Sequence, residues 1–199
     1  QQESEEVFDA VISSTPSHIF NTITEGLSEK YRSKLANVNY MAAVLIILIM
    51  DRPLSDVYWL NIADRSIPFI GVIEHTNLVG SEIYGDNHIV YLSNYLAETD
   101  LMYKMGGEEL LNTYLPHLKK INPNFKREWV KEYHHYKIPN AQPVVDTNYS
   151  INIPEHETGI QNLYLANTSQ VYPQDRGTNY SVGMGRKMAA LALQNLKIK

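Results

Sequence analysis

From Val38 to Met50 the chain is dominated by Val, Ile, Leu and Ala without polar alternation, and its most apolar part, Met41 to Met50, stops at Asp51, Arg52 and Pro53. That run is about half the length a bilayer-spanning helix needs. A short apolar stretch rich in β-branched residues and ended by a charged turn reads instead as a strand covered on both faces. Such a strand belongs at the centre of a sheet, and the rest of the chain has to supply its partners and its cover.

The partners are legible as shorter runs on either side. Tyr58 to Ala63, Phe69 to Thr76 and His88 to Leu96 read as strands, separated by turn residues at Asp64, Pro68, Gly80, Gly85, Asp86 and Asn87. Together they predict a mainly antiparallel meander, to which Glu132 to Ile138 returns as a further strand. Cover comes from Gly107 to Leu118, where Leu110, Leu111, Tyr114, Leu115 and Leu118 recur at helical intervals, with another turn expected from Pro123 toward Trp129. Near the N-terminus, Val7 to Ser14 is a short strand closed by Thr15 and Pro16. Ser17 to Ala36 has the spacing of two short helices divided at Gly26 and Ser28. Pro139, Asn140, Pro143 and Pro154 mark a boundary near residue 140, followed by a strand at Asn162 to Asn167, a polar loop, and a helix from about Thr178 to Leu196. The fold class is therefore α+β: a mixed, largely antiparallel sheet flanked by helices.

Composition narrows the function. The 199 residues suffice for one generous domain or one domain plus a piece of another. A net charge of −5 with scattered cations argues against nucleic acid, and the densest basic stretch, Lys119, Lys120, Lys126, Arg127 and Lys131, is interrupted by Glu128 and Glu132. The chain contains no cysteine, so disulfides, thiolate metal sites and a cysteine nucleophile are excluded. With an opening of Gln1, Gln2, Glu3, Ser4, Glu5 and Glu6 that lacks the pattern of a secretory signal, and with no apolar run long enough to span a membrane, a cytoplasmic location is expected.

The strongest chemical feature lies near the C-terminus. The segment Asn162-Leu163-Tyr164-Leu165-Ala166-Asn167, a loop from Thr168 to Gln174, and Asp175-Arg176-Gly177-Thr178-Asn179 before a helix give the order strand, loop, helix N-terminus. Free backbone N–H groups and the positive end of a helix dipole meet at such a point and favour an anionic or electron-rich ligand atom. In this reading Gly177 allows close approach or a positive φ, Thr178 or Asn179 caps the helix, and Gly183 and Gly185 keep its buried side thin.

The run from Asn162 to Ala190, with Val-Tyr-Pro-Gln-Asp-Arg-Gly-Thr-Asn-Tyr at 171 to 180 and Gly183-Met184-Gly185-Arg186 after it, resembles the C-terminal flavin segment of the amine-oxidase superfamily, which includes protoporphyrinogen-oxidase-like enzymes. Phe8 to Pro16 resembles the strand by which those enzymes leave their flavin domain, and Tyr58 to Asn61, Ile73 to Asn77 and Val90 to Leu96 resemble strands of their substrate domain. The resemblance implies FAD as cofactor, with Asn167 and Thr168 near the ribityl chain and phosphate, and Arg176, Gly177, Thr178, Asn179 and Tyr180 at the flavin, the last three by the ring. It implies a division into 1–16, the exit strand of the FAD-binding domain; 17–140, a substrate-binding domain; and 141–199, the return to the FAD-binding domain. Many members end the C-terminal strand with Gly-Asp, where this chain has Ala166-Asn167.

The dinucleotide fingerprint GxGxxG of that superfamily has no counterpart here, since Gly183-Met184-Gly185 lies within a predicted helix. The chain is accordingly expected to be a C-terminal fragment, inactive alone and unable to retain FAD, whose partner is the missing N-terminal FAD-binding region of the same polypeptide. The expected activity of the whole is hydride transfer from a small organic substrate to flavin, which assigns the catalytic role to no side chain. Tyr172, His75, Thr76 and Trp59 are the candidate substrate residues. Trp59, Tyr91, Tyr95 and Tyr172 either line an aromatic cavity or pack as core. Glu74, His75 and Thr76 fall at a strand end where neighbours face opposite ways, and the adjacent His134 and His135 are poorly placed to share a metal, so none is expected. Two other readings stay open: a non-redox flavoenzyme like the UDP-galactopyranose mutases, for whose cationic pair only Arg65 and Arg176 are candidates, and a non-enzymatic binding module.

Overall fold

The computed structural model describes residues 4–197, so Gln1, Gln2 and Glu3 of the acidic opening lie outside the described residues. In chain order the elements are β1 (Val11–Ser13), α1 (Ser17–Ile23), α2 (Glu29–Ala36), β2 (Tyr40–Met50), β3 (Trp59–Asn61), β4 (Gly71–Glu74) and α3 (Thr76–Val79). They continue with β5 (His88–Leu96), α4 (Leu101–Lys104), α5 (Gly107–Tyr114), β6 (Val130–Pro143), α6 (Tyr149–Asn152), β7 (Leu163–Leu165) and α7 (Thr178–Asn195). The chain forms two compact units, one of residues 40–142 and the other of 1–39 with 143–199. The α+β class with a mixed, largely antiparallel strand set is as expected. No helix among the described residues is long and apolar enough to cross a membrane.

The larger unit is built on a five-stranded sheet in the order β3-β4-β5-β2-β6. The apolar β2 lies inside it, though β5 rather than β2 holds the middle place. The two pair antiparallel over nine positions, from Ala42 opposite Leu96 to Met50 opposite His88. Opposed residues share a face, which gives the sheet two distinct sides. On the first, Val44, Ile46, Leu48 and Met50 are fully buried with Val72, Val90 and Leu92. Each of these side chains contributes on the order of 2 kcal/mol by leaving water. Their cover is α5, where Leu110, Leu111 and Tyr114 pack into the same cluster as Leu115 and Leu118 of the following 3₁₀ turn, Leu115–Lys120. The α-helix predicted over Gly107 to Leu118 ends early because Pro116 has no N–H to continue the ladder.

A buried carboxylate pins the loop after β2. Glu74 at the end of β4 is 0% exposed and accepts from Leu54 N at 2.9 Å and from Ser55 N at 2.7 Å. Burial pushes its carboxyl up from the usual range, against the pull of those donors.

The smaller unit is organised around two parallel strands, β1 beside β7 in the register Val11 to Leu163. Helices cover both faces, the rule for parallel strands. Leu165 joins Phe20, Leu27, Tyr31 and Leu35 of the α1–α2 side, while Tyr164 on the opposite face joins Met188 and Ala192 of α7. Residues 17–39, expected with the large sheet, therefore pack on β7 instead. Ser28 caps α2 by accepting from Tyr31 N at 3.3 Å. The strand predicted from Val7 shrinks to Val11–Ser13, the residues that face β7.

The end of β7 is held to the start of α1 by one amide. Asn167 Oδ1 accepts from Ser169 N at 3.0 Å and from the Ser169 hydroxyl at 2.6 Å, while Nδ2 donates to Thr15 O at 2.9 Å and to Ser17 Oγ at 3.2 Å. Its backbone N–H completes a capping box with Gln170 Oε1 at 2.9 Å.

Both pins make predictions for urea unfolding followed by circular dichroism. Asn167→Ala strands buried partners and is expected to cost about 2–3 kcal/mol. Asn167→Asp sets a carboxylate against the Thr15 carbonyl, so it destabilises at pH 7 and recovers part of the loss as pH falls toward the unfolded value of about 3.9, below which both states are protonated. For Glu74, a folded value above the unfolded one means that folding favours the protonated acid. Its contribution is full below the unfolded value of about 4.3 and declines as pH rises through the folded one. Glu74→Gln should lower stability by about 1–3 kcal/mol at low pH, where Glu74 is neutral, and remove that decline; an unchanged pH slope in the variant contradicts the assignment.

Candidate functional site

The candidate site residues fall on two surfaces, one in each unit. In the smaller unit it is the start of α7. Gly177 is the N-cap residue, extended at φ −168° and ψ 163°, and no side chain caps the helix. The first intrahelical bond runs from Ser181 N to Gly177 O at 3.1 Å. Among the described residues, the backbone N–H groups of Thr178, Asn179 and Tyr180 have no hydrogen-bond partner, and all three residues are exposed. Three donors and the positive end of an 18-residue helix thus face outward together.

Several sequence expectations about this segment need correction. Neither Thr178 nor Asn179 caps the helix. Gly177 has no positive φ, and a Cβ there would meet Asn179 Oδ1 at 2.7 Å, the movable end of an exposed side chain, so neither φ nor packing demands glycine. Gly183 and Gly185 do not thin a buried side, since both are exposed with open space around them. The packed stripe is Met184, Met188, Leu191 and Ala192, whose helical spacing leaves 183 and 185 on the flanks. Asn167 is 7% exposed with both ends of its amide engaged internally, whereas Thr168 beside it is exposed. Arg176 is half-buried just before the helix. Tyr172 is 41% exposed and its ring lies 5.7 Å from that of Tyr149.

In the larger unit the candidate surface is the second side of the sheet. Ala43, Leu45, Ile47 and Ile49 of β2 alternate with the core residues and pair with Tyr95, Ser93, Tyr91 and Ile89 of β5. On β4 and β3 the same side carries Gly71 and Ile73, then Asn61 and Trp59. A Cβ at Gly71 would meet Ser93 Oγ at 2.7 Å, so a side chain there requires the Ser93 hydroxyl to turn away. Trp59 is 53% exposed, with Nε1 donating to Asn61 Oδ1 at 2.9 Å.

His75 follows on this side just past β4, its backbone N–H still bonded to Ile89 O at 2.9 Å. Its Nε2 lies 2.7 Å from the Tyr84 hydroxyl and its ring 6.0 Å from Tyr91. Burial, together with the neighbouring Tyr84 and Tyr58, pushes the Tyr91 phenol up. Of the expected substrate residues, His75 and Trp59 therefore share one sheet side. Thr76 does not join them: it is buried, and Oγ1 accepts from Ile89 N at 3.2 Å. Tyr84 went unidentified in the sequence, although an aromatic residue directly before the turn Gly85-Asp86-Asn87 between two strands was the signal available. His134 and His135 are exposed and half-buried neighbours on β6, and among the described residues no group of three His, Asp or Glu side chains could hold a metal ion.

Residues 1–174 match the family model for flavin-containing amine oxidoreductases. No curated protein sequence matches. Among solved structures, a protein assigned as a protoporphyrinogen oxidase from Exiguobacterium sp. 255-15 superposes with a TM-score of 0.69 at 13% identity, covering 94% of this chain and 41% of that one. An oxidoreductase from Methanosarcina mazei gives 0.67 at 21% identity, with 94% and 43% covered. Reduced UDP-galactopyranose mutase gives 0.61 at 16%, with 79% and 35% covered. The chain thus spans about two fifths of the length of the first two structures it matches. With the family model spanning most of its length, the chain belongs to the flavin-containing amine oxidoreductase family.

Proposed function

We propose that this chain is the C-terminal part of an FAD-dependent oxidoreductase, contributing one edge of the flavin site from the start of α7 and a substrate-facing surface from the second side of the large sheet. The observation that carries the flavin half is the row of unpartnered N–H groups at Thr178, Asn179 and Tyr180. An isoalloxazine gains negative charge at its N1 and O2 edge on reduction, and a helix N-terminus with three free donors fits that edge. Gly177 leaves the approach clear of any side chain, with Arg176 and Thr168 placed on the same loop to meet the ribityl and phosphate portion. Asn167 would act there by holding the loop, since its own amide is engaged.

When bound, FAD supplies the redox chemistry, accepting a hydride from a C–N or C–C bond of a small organic substrate. The residues of this chain bind, orient and exclude water. His75 and Trp59 would contact substrate on the sheet, and Thr76 would support His75 through the ladder. The adenosine half of the cofactor is assigned to the N-terminal region of a longer polypeptide, so the 199 residues alone are expected to hold flavin weakly and to be inactive. Two parallel strands are a small sheet for a domain, and the exposed Val11 and Ile12 of β1 suit further strands and cover from that region.

Purified from its full-length gene, the protein is expected to absorb near roughly 450 nm as flavoproteins do; a colourless, folded full-length protein would end this reading. A finer test substitutes Thr178→Pro. The extended Gly177 suits a residue before proline, and proline is tolerated in a helix's first turn, so α7 should persist while one donor is lost. A charge-assisted hydrogen bond of about 1.5–3 kcal/mol corresponds to a flavin potential lowered by roughly 30–60 mV for a two-electron couple. An unchanged potential with an intact helix rejects the role given to α7.

A further inference from the structure

The second side of the large sheet carries an interaction that neither family likeness nor sequence pattern assigns, the 2.7 Å contact between His75 Nε2 and the Tyr84 hydroxyl. Tyr84 is held firmly for it. It ends the 3₁₀ turn Glu82–Tyr84, its N–H bonds to Ser81 O at 2.9 Å, and its carbonyl accepts from Asn87 Nδ2 at 2.8 Å. Gly85 and Asp86 follow with φ of 62° and 59°, a left-handed pair that turns the chain back into β5. His75 is fixed from the other direction by its backbone bond to Ile89 O, and its ring meets both Tyr84 and Tyr91 edge to face.

The direction of that hydrogen bond follows from chemistry. A phenol O–H is a strong donor and its oxygen a weak acceptor, and 2.7 Å is typical of bonds donated by hydroxyls but the short limit for bonds donated by N–H groups. Tyr84 therefore donates and Nε2 accepts, which leaves the proton of a neutral imidazole on Nδ1. Nδ1 has no protein partner among the described residues, and it is not one of the buried unpaired ring nitrogens, unlike those of His88 and His135. It is an accessible donor without an acceptor. Glu82 and Asp86, both exposed on the turn that carries Tyr84, disfavour an anion as its partner. Tyr91 and Trp59 on the same side of the sheet favour a flat apolar body.

We propose that Tyr84 is a positioning residue that holds His75 in its Nδ1–H tautomer, so that His75 offers one hydrogen bond to a neutral carbonyl oxygen on a flat, largely apolar ligand. The ligand-facing role of this side of the sheet rests on the proposed function; the tautomer does not.

Nitrogen-15 spectra of the imidazole in the 199-residue chain test it, at pH about 8.5, where ordinary imidazoles are neutral. The expected result is a protonated Nδ1 and an unprotonated Nε2 for His75, with Tyr84→Phe shifting the ring toward the Nε2–H form while the amide spectrum elsewhere is preserved. Acetophenone should shift the His75 signals saturably, benzoate at equal concentration should shift them less, and Tyr84→Phe should weaken acetophenone binding roughly fivefold, the effect of one neutral hydrogen bond. A wild-type ring protonated on Nε2, or equal acetophenone affinity in the two proteins, overturns the proposal. The wild-type tautomer decides by itself should the variant fail to fold. Flavin missing from the full-length protein, with the tautomer as stated, would reject the flavoenzyme reading alone.

Discussion

Nine consecutive antiparallel pairs between β2 and β5 set the character of the larger unit, because strand pairing decides which side of the sheet each residue faces. In the observed register, Val44, Ile46, Leu48 and Met50 lie with Val90 and Leu92 under α5, and Tyr91, Ser93 and Tyr95 lie together on the other side. A slip of one residue would drive Tyr91 and Tyr95 into the cluster around Phe69 and Tyr114 and expose Val90 and Leu92. The register is held by the apolar face of β2 and by the turn Gly85-Asp86-Asn87, which fixes where β5 begins. Glu74 adds a polar check, since its carboxylate finds Leu54 N and Ser55 N only when β4 is in register too. The same pairing that builds the core thus presents His75, Tyr91 and Trp59 on one side.

In the smaller unit the constraint is different. Parallel strands have no polar side to spare, so β7 alternates Leu163 and Leu165 toward α1 and α2 with Tyr164 toward α7. Packing through Met188 and Ala192 places the middle of α7 under β7 and leaves its first turn clear of the sheet. Those donors stay unpaired because the segment offers them nothing: the residue before the helix is a glycine, and the Asn167 amide that caps the preceding 3₁₀ turn is already bonded to Ser169, Thr15 and Ser17.

Much of this was legible in the sequence because it depends on local pattern. β5 runs His88–Leu96 as its alternation requires, α7 begins at Thr178 as expected, and Ser28 caps α2. Three things were not legible, each for a stated reason. The inner position of β5 relative to β2 follows from long-range pairing, to which apolarity alone is blind. The places of Gly183 and Gly185 on α7 depend on which stripe meets β7, and a helix with apolar residues on several sides, such as Val182, Met184, Met188 and Leu193, does not declare its stripe. The His75 to Tyr84 contact joins a strand end to a turn nine residues on, and the sequence shows the turn without showing where its last aromatic points.

The two candidate surfaces also differ in what substitution can do to them. At the start of α7 the donors are backbone groups, so every residue but proline leaves them in place. Function carried there tolerates wide sequence change as long as the helix starts at the same point. On the sheet the groups are side chains, and His75, Trp59 and Tyr91 can each be replaced without disturbing a core that lies on the other side. A family that shares a cofactor edge of the first kind and a substrate surface of the second can keep one chemistry while changing what it acts on. Hence a flavin cofactor follows from the family, while the role proposed for α7 and the substrate have to be argued from individual groups, the free N–H donors in one unit and the side chains around His75 in the other.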